Sequence, residues 1–144
     1  MKFLDTNLII RYLTRDDPAK AARAYAFLQE VEKGNEVVTT TEAVIAEIVH
    51  VLSSKRIYNY PRADIVKRLL PVLQLKGLRF LDKNICIDAL VLYAQTTIDF
   101  VDCLVVAKMK RKGIKTLVSF DHDFDNFPFI TREEPAREPE QTAA

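Results

Sequence analysis

Residues 114–120 read IKTLVSF, and Asp121 follows at once. The run is short and near-continuously apolar, the pattern of a parallel strand buried on both faces. Just before it, Asp99 to Lys112 reads as a helix that Gly113 ends, so a helix feeds the strand. At the other end of the chain, Met1 to Thr6 (MKFLDT) is another short apolar strand, with Asp5 at its close, and Asn7 to Thr14 reads as one or two helical turns leading out of it. Between these ends, Asp17-Pro18 opens a helix that runs to about Lys33 and stops at Gly34-Asn35. EVVTT (36–40) is a β-branched strand, and Thr39, Thr40 or Thr41 caps a helix to about Ser54 whose Ile45, Ile48, Val49 and Leu52 share a face. Tyr60-Pro61 begins a helix to about Leu75, Gly77 ends it before a strand-like Leu78 to Leu81, and Asn84 to about Thr96 is one more helix. Strands alternate with helices, which predicts an α/β fold with a mostly parallel central sheet covered on both sides.

The chain has 144 residues, enough for one domain with a core that needs no staples. The expectation is a single domain over residues 1–131 and an acidic, disordered tail over 132–144 (REEPAREPEQTAA). No apolar run approaches the ~20 residues that span a bilayer, and the opening strand is not a signal peptide, so the expected location is the cytoplasm, with no membrane partner. Cys86 and Cys103 sit among aliphatic residues and read as small core hydrophobes in a reducing compartment.

Several chemistries are excluded by scarcity. The three glycines, Gly34, Gly77 and Gly113, stand alone, so neither a P-loop nor a GxGxxG turn can be written. His50 and His122 with two isolated cysteines cannot furnish a zinc finger or a histidine zinc site. Ser53, Ser54 and Ser119 lack a GxSxG elbow. Carboxylate is what remains plentiful.

The net charge of +1 conceals an uneven spread: residues 55–115 carry 13 basic and 5 acidic side chains, whereas residues 116–144 carry 2 and 7. Lys55, Arg56, Arg62, Lys67, Arg68 and the KMKRKGIK segment from Lys108 to Lys115 form a candidate phosphate-attracting rim. Lys110, Arg111 and Lys112 are equally explained as cations at a helix C-terminus.

Asp5 and Asp121 each follow a strand, and open α/β sheets place their ligand crevices outside those carboxyl ends. Asp5 has an alternative role as the cap of the helix near Asn7, and Asp123 and Asp125 as residues that satisfy turn amides. Glu47 interrupts an apolar helical run, AVIAEIV, where an acid must face a polar site or solvent. Glu42 suits the first turn of that helix, and His50, one turn from Glu47, reads as a surface residue. Asp99 and Asp102 stand at the spacing of a helix cap and its third residue; Asp102, flanked by Val101 and Cys103, has more to gain from a cation, and Asp88 is a weaker candidate of the same kind. Carboxylates gathered without histidine or cysteine make a hard-oxygen site, suited to Mg²⁺ or Mn²⁺ and to phosphodiester cleavage.

Four segments in order, FLDTN (3–7), AEIVHVL (46–52), DFVDCLVVA (99–107) and TLVSFDHDF (116–124), resemble the PIN-domain nucleases, particularly the small ribonuclease toxins of the VapC type. The resemblance implies a three-layer α/β/α sandwich and a catalytic, metal-binding set of Asp5, Glu47, Asp102 and Asp121. Thr6, Asn7 and Ser119 would be supporting polar residues, and Asp99 and Asp123 acids of the surrounding shell or substrate side. Cys103 departs from the commoner alanine but stays small and apolar. The resemblance further implies metal-dependent cleavage of single-stranded RNA, homodimerisation, and a cognate antitoxin protein as partner; from their charge, Lys110, Arg111 and Lys112 are then expected to draw in the RNA backbone. The alternatives are a nucleic-acid-binding module of the same fold without catalysis, and an aspartyl phosphotransferase, whose DxD opening is contradicted by Asn7.

Overall fold

Asp17 and Pro18 start a helix as their chemistry requires: the Asp17 carboxylate accepts from the Lys20 amide at 3.2 Å, and Pro18 takes the first helical position, where a missing N–H costs nothing. This helix, α2 (Pro18–Lys33), closes at Gly34 in the left-handed region, φ 82°. A computed structural model describes residues 1–136, with one compact unit over Met1–Ala107 and a second beginning at Lys108.

In the first unit, β1 (Lys2–Phe3) leads to α1 (Thr6–Thr14), and α2 is followed by β2 (Val38–Thr39), α3 (Glu42–Ser53), α4 (Arg62–Leu73), α5 (Lys83–Gln95) and the greater part of α6 (Phe100–Lys112), whose residues from Lys108 onward belong to the second unit. The strands β1 and β2 are parallel, Lys2 opposite Val38 and Phe3 opposite Thr39. Of the three candidate caps, Thr41 is the one used: its hydroxyl accepts from the Val44 amide at 3.3 Å. Ile45, Ile48, Val49 and Leu52 are all buried, on the face that helical spacing assigned them, with Ile9, Leu28, Val38, Ile65, Leu69 and Leu90 completing the same core. Cys86 and Cys103 are buried in it, and neither forms a disulfide.

The strand expected over Leu78 to Leu81 shrinks to a single parallel bridge between Leu78 and Val38. Beyond it the chain turns outward: Leu81 is 86% exposed and Asp82 adopts φ 63°. Gly77 is required not as a helix stop, for α4 ends earlier, but by close approach. A Cβ there would lie 2.2 Å from the Glu36 carbonyl oxygen and 2.6 Å from that of Val31.

In the second unit, β3 (Thr116–Val118) runs parallel to β4 (Thr131–Glu133), with Leu117 opposite Arg132, and a 3-10 helix over His122–Asn126 lies between them in the chain. Parallel pairing is as the apolar run predicted, but burial is not: Val118 is 59% and Phe120 69% exposed. A two-stranded sheet with one short 3-10 helix has too little surface to cover both faces of its own strands. Arg132 and Glu133, expected in the tail, belong to β4; residues 137–144 of that expected tail lie outside the described residues. The α/β class and the parallel strands are those the sequence predicted. Among the described residues, no helix is long and apolar enough to cross a membrane.

Candidate active site

Asp5 stands where β1 gives way to α1, and it does cap that helix: its Oδ2 accepts from the Asn7 amide at 3.3 Å. Thr6, next to it, is 5% exposed and donates its hydroxyl to Glu47 Oε2 at 3.1 Å, which ties the end of β1 to α3. Thr40, also buried, donates to the Leu4 carbonyl at 3.3 Å and fixes the same strand end from the β2 side. Asn7 goes elsewhere, to a groove between α1 and α2 that Arg11, Lys20 and Arg23 also line.

Asp99 precedes α6 and its carbonyl accepts the first helical bond, from the Cys103 amide at 3.0 Å, so the backbone geometry is that of a cap. Asp102 lies in the first turn, where a helix favours negative charge. Both acids line a cavity of about 420 Å³ whose other wall, from α3, includes Ala46, His50 and Ser53. His50, read as a surface residue, is thus on the same cavity as the paired acids. Only the one-turn offset from Glu47 hinted at this. Beside the cavity, burial pushes the Cys103 thiol up in pKa, opposed by its contact with the Thr96 hydroxyl.

The loop that delivers Asp99 is fastened by Arg62, whose Nη1 donates to the Tyr93 and Ile98 carbonyls at 3.2 and 2.6 Å and whose Nη2 donates to the Thr97 carbonyl at 3.0 Å. Its guanidinium also stacks 4.1 Å from the Tyr93 ring centroid, and Tyr93 meets Phe100 edge-on at 5.9 Å. Arg62 thus has a structural use for its guanidinium. Arg68, which is exposed, likewise donates to the Leu13 carbonyl at 2.9 Å and stacks on Tyr60. Charge counting along the sequence cannot tell a cation that holds main-chain carbonyls from one that holds none.

In the second unit, Asp121 caps the 3-10 helix: its Oδ1 accepts from the Asp123 amide at 2.9 Å, and its own amide donates to Ser119 Oγ at 3.0 Å. Asp121, and not Asp123, pins this turn. Asp125 is engaged by Arg132, whose hydrogen bond holds the Asp125 carboxyl below its usual pKa. Lys110, Arg111 and Lys112 form the exposed last turn of α6.

Asp5, Glu47 and Asp121 each use one carboxylate oxygen in these local hydrogen bonds, and the donor set is entirely hard oxygen, which fits a Mg²⁺- or Mn²⁺-like cation in kind. Among the described residues, no three His, Cys, Asp or Glu side chains are gathered as a cage for a metal ion. Two grooves of about 580 and 570 Å³ flank α2 and contain none of the candidate acids.

Comparison with known proteins gives the family. The model of the PIN domain matches residues 2–130. The chain belongs to the PIN-domain family. It is 30% identical over 131 residues, 91% of this chain and 95% of the other, to a VapC ribonuclease of Aquifex aeolicus (strain VF5). All four segments that carried the resemblance lie inside the matched PIN domain, and so do Asp5, Glu47, Asp102 and Asp121. Arg132, just beyond it, was missed by sequence reasoning because an arginine in a run of Glu and Pro carries no periodic signal.

Proposed function

We propose that this PIN domain is a divalent-metal-dependent endoribonuclease, the toxin of a toxin–antitoxin pair, acting in the cytoplasm as a homodimer. The observation that carries the reading is 30% identity to a VapC ribonuclease over 91% of this chain, with Asp5, Glu47, Asp102 and Asp121 all inside the matched PIN domain. Asp5, Glu47, Asp102 and Asp121 would hold Mg²⁺ or Mn²⁺. When bound, such a cation supplies an activated water and offsets charge on the phosphate oxygens. The chain's own share is to keep the acids oriented: Thr6 fixes the Glu47 carboxylate, the α1 cap fixes Asp5, and the Ser119 hydroxyl fixes the backbone at Asp121. Asp99 and Asp123 would serve as acids on the substrate side, and Lys110, Arg111 and Lys112 would offer positive charge to an RNA backbone.

The test is cleavage of RNA by the purified protein with Mn²⁺, with EDTA, and as Asp102→Asn. Metal-dependent cleavage lost in the variant is the expected outcome. Undiminished cleavage by demonstrably metal-free protein would overturn the metal requirement, and RNA binding with no cleavage under any metal would leave a binding module in its place.

A further inference from the structure

We propose that Arg132 is the positioning residue for Asp121, a fork that clamps both ends of the turn on which that acid is carried. This rests on the role given to Asp121 above. Four hydrogen bonds radiate from one guanidinium: Nη1 donates to the Ser119 carbonyl at 2.9 Å, Nε to Asp125 Oδ1 at 2.9 Å, and Nη2 to Asp125 Oδ2 at 3.3 Å and to His122 Nδ1 at 2.8 Å. The first anchor lies two residues before Asp121 and the others one and four residues after it. The segment between the anchors has little freedom left. Asp121 spends its own groups inside that segment, its amide on Ser119 Oγ and its Oδ1 on the Asp123 amide.

The Arg132 side chain is only 10% exposed, whereas His122 is 75% and Asp125 51% exposed, so the fork sits beneath the turn and its partners form the outer layer. An arginine is needed. Its planar guanidinium presents donors in fixed directions to three partners at once, where a lysine ammonium is a single point. The clamp is separate from the strand pairing, which is carried by main-chain bonds such as Ser119 N–H to the Glu133 carbonyl at 3.0 Å and Thr131 N–H to the Lys115 carbonyl at 2.8 Å. Losing the fork should loosen the turn and leave the ladder.

The experiment compares Arg132→Lys, Arg132→Gln and Asp125→Asn with the unmodified chain, measuring kcat and KM for Mn²⁺-supported RNA cleavage and amide hydrogen exchange residue by residue. The expected result is loss of protection at the Asp121 and Asp123 amides with Ser119 and Thr131 still protected. With it, kcat should fall about tenfold or more, since ~1 Å of misplacement can cost up to ~100-fold, and KM should stay within about twofold. Lysine should not rescue. Unchanged protection, or lost protection with unchanged kcat, overturns the proposal. If the Arg132 variants lose the ladder as well, Asp125→Asn, which takes one of the two acceptor oxygens and the charge from that anchor without changing its shape, decides by the same two criteria. Should the unmodified chain show no metal-dependent cleavage, it is the reading of function that fails, and the exchange pattern alone still decides whether Arg132 clamps the turn.

Discussion

The Thr6 hydroxyl and the Glu47 carboxylate, 41 residues apart in the chain, meet at 3.1 Å. The hydroxyl is buried and the acid is exposed, so the bond orients Glu47 from below without hiding it from solvent. Thr6→Val keeps the shape and removes the donor. Loss of one such bond should lower stability by about 1 kcal/mol, and a larger fall in kcat than in Tm would mark the orienting role. Chemical denaturation alongside RNA cleavage measures both; a stability loss with full activity would reduce Thr6 to a core residue.

Where sequence patterning succeeded, the physics was local. Asp17-Pro18, Gly34, the Thr41 cap and the buried face of α3 follow from neighbours a few residues apart, and each is in place. It failed where the decisive partner is distant. Leu78 to Leu81 has strand composition but only Leu78 finds a parallel neighbour, and Arg62 and Arg68 look like free charge until the carbonyls they hold come into view. The candidate acids stood out because they follow strands or interrupt apolar runs, where a carboxylate must meet a polar site or solvent. The residues that hold those acids in place, Arg62 and Arg132, did not.

Asp5 serves as a helix cap, and asparagine caps as well as aspartate. Asp5→Asn should therefore shift Tm by little while removing the charge a divalent cation requires, so Mn²⁺ binding and cleavage should fall together. Isothermal titration with Mn²⁺ and a melting curve separate the two roles. A large drop in Tm with retained Mn²⁺ binding would show that the cap is the whole function of this acid.

Asp16 reports on acid stability. The Tyr58 hydroxyl and then the Arg11 guanidinium hold its carboxyl at about 2, below the ordinary 3.8. Because the folded-state value is depressed, its contribution is complete above about pH 4 and disappears as pH falls towards 2. Asp16→Asn should thus lower Tm slightly at neutral pH and by progressively less between pH 4 and 2. A Tm difference that does not shrink over that range would deny the linkage; the group is exposed, so the effect should also weaken with salt.

Lys110, Arg111 and Lys112 end α6 as exposed cations, a placement that fits both a satisfied helix terminus and an RNA contact. Single-stranded nucleic acid releases about 0.7 counterion per neutralised phosphate, so replacing all three with glutamine should flatten the log–log salt dependence of RNA binding by about 2 units if each meets a phosphate. Binding by the Asp102→Asn chain, expected to be catalytically silent and kept in EDTA, is titrated across salt concentrations to give the slope without cleavage. An unchanged slope would assign these three cations to the helix alone.

Arg62 ties the last turns of α5 to the loop before α6 through the carbonyls of Tyr93, Thr97 and Ile98, and stacks on Tyr93 as well. That loop ends at Asp99, and the helix it starts carries Asp102, so any slack reaches both acids on the cavity. Arg62→Met preserves much of the stem and removes every donor, leaving carbonyls without partners, at a cost of about 2–3 kcal/mol. Arg62→Lys should recover little, because one ammonium cannot meet three carbonyls set around a planar fork. Measured at a temperature where both variants remain folded, cleavage should fall through kcat with RNA affinity held. If Arg62→Met instead weakens RNA binding as strongly as it slows turnover, Arg62 meets phosphate after all, and the loop is held by something else.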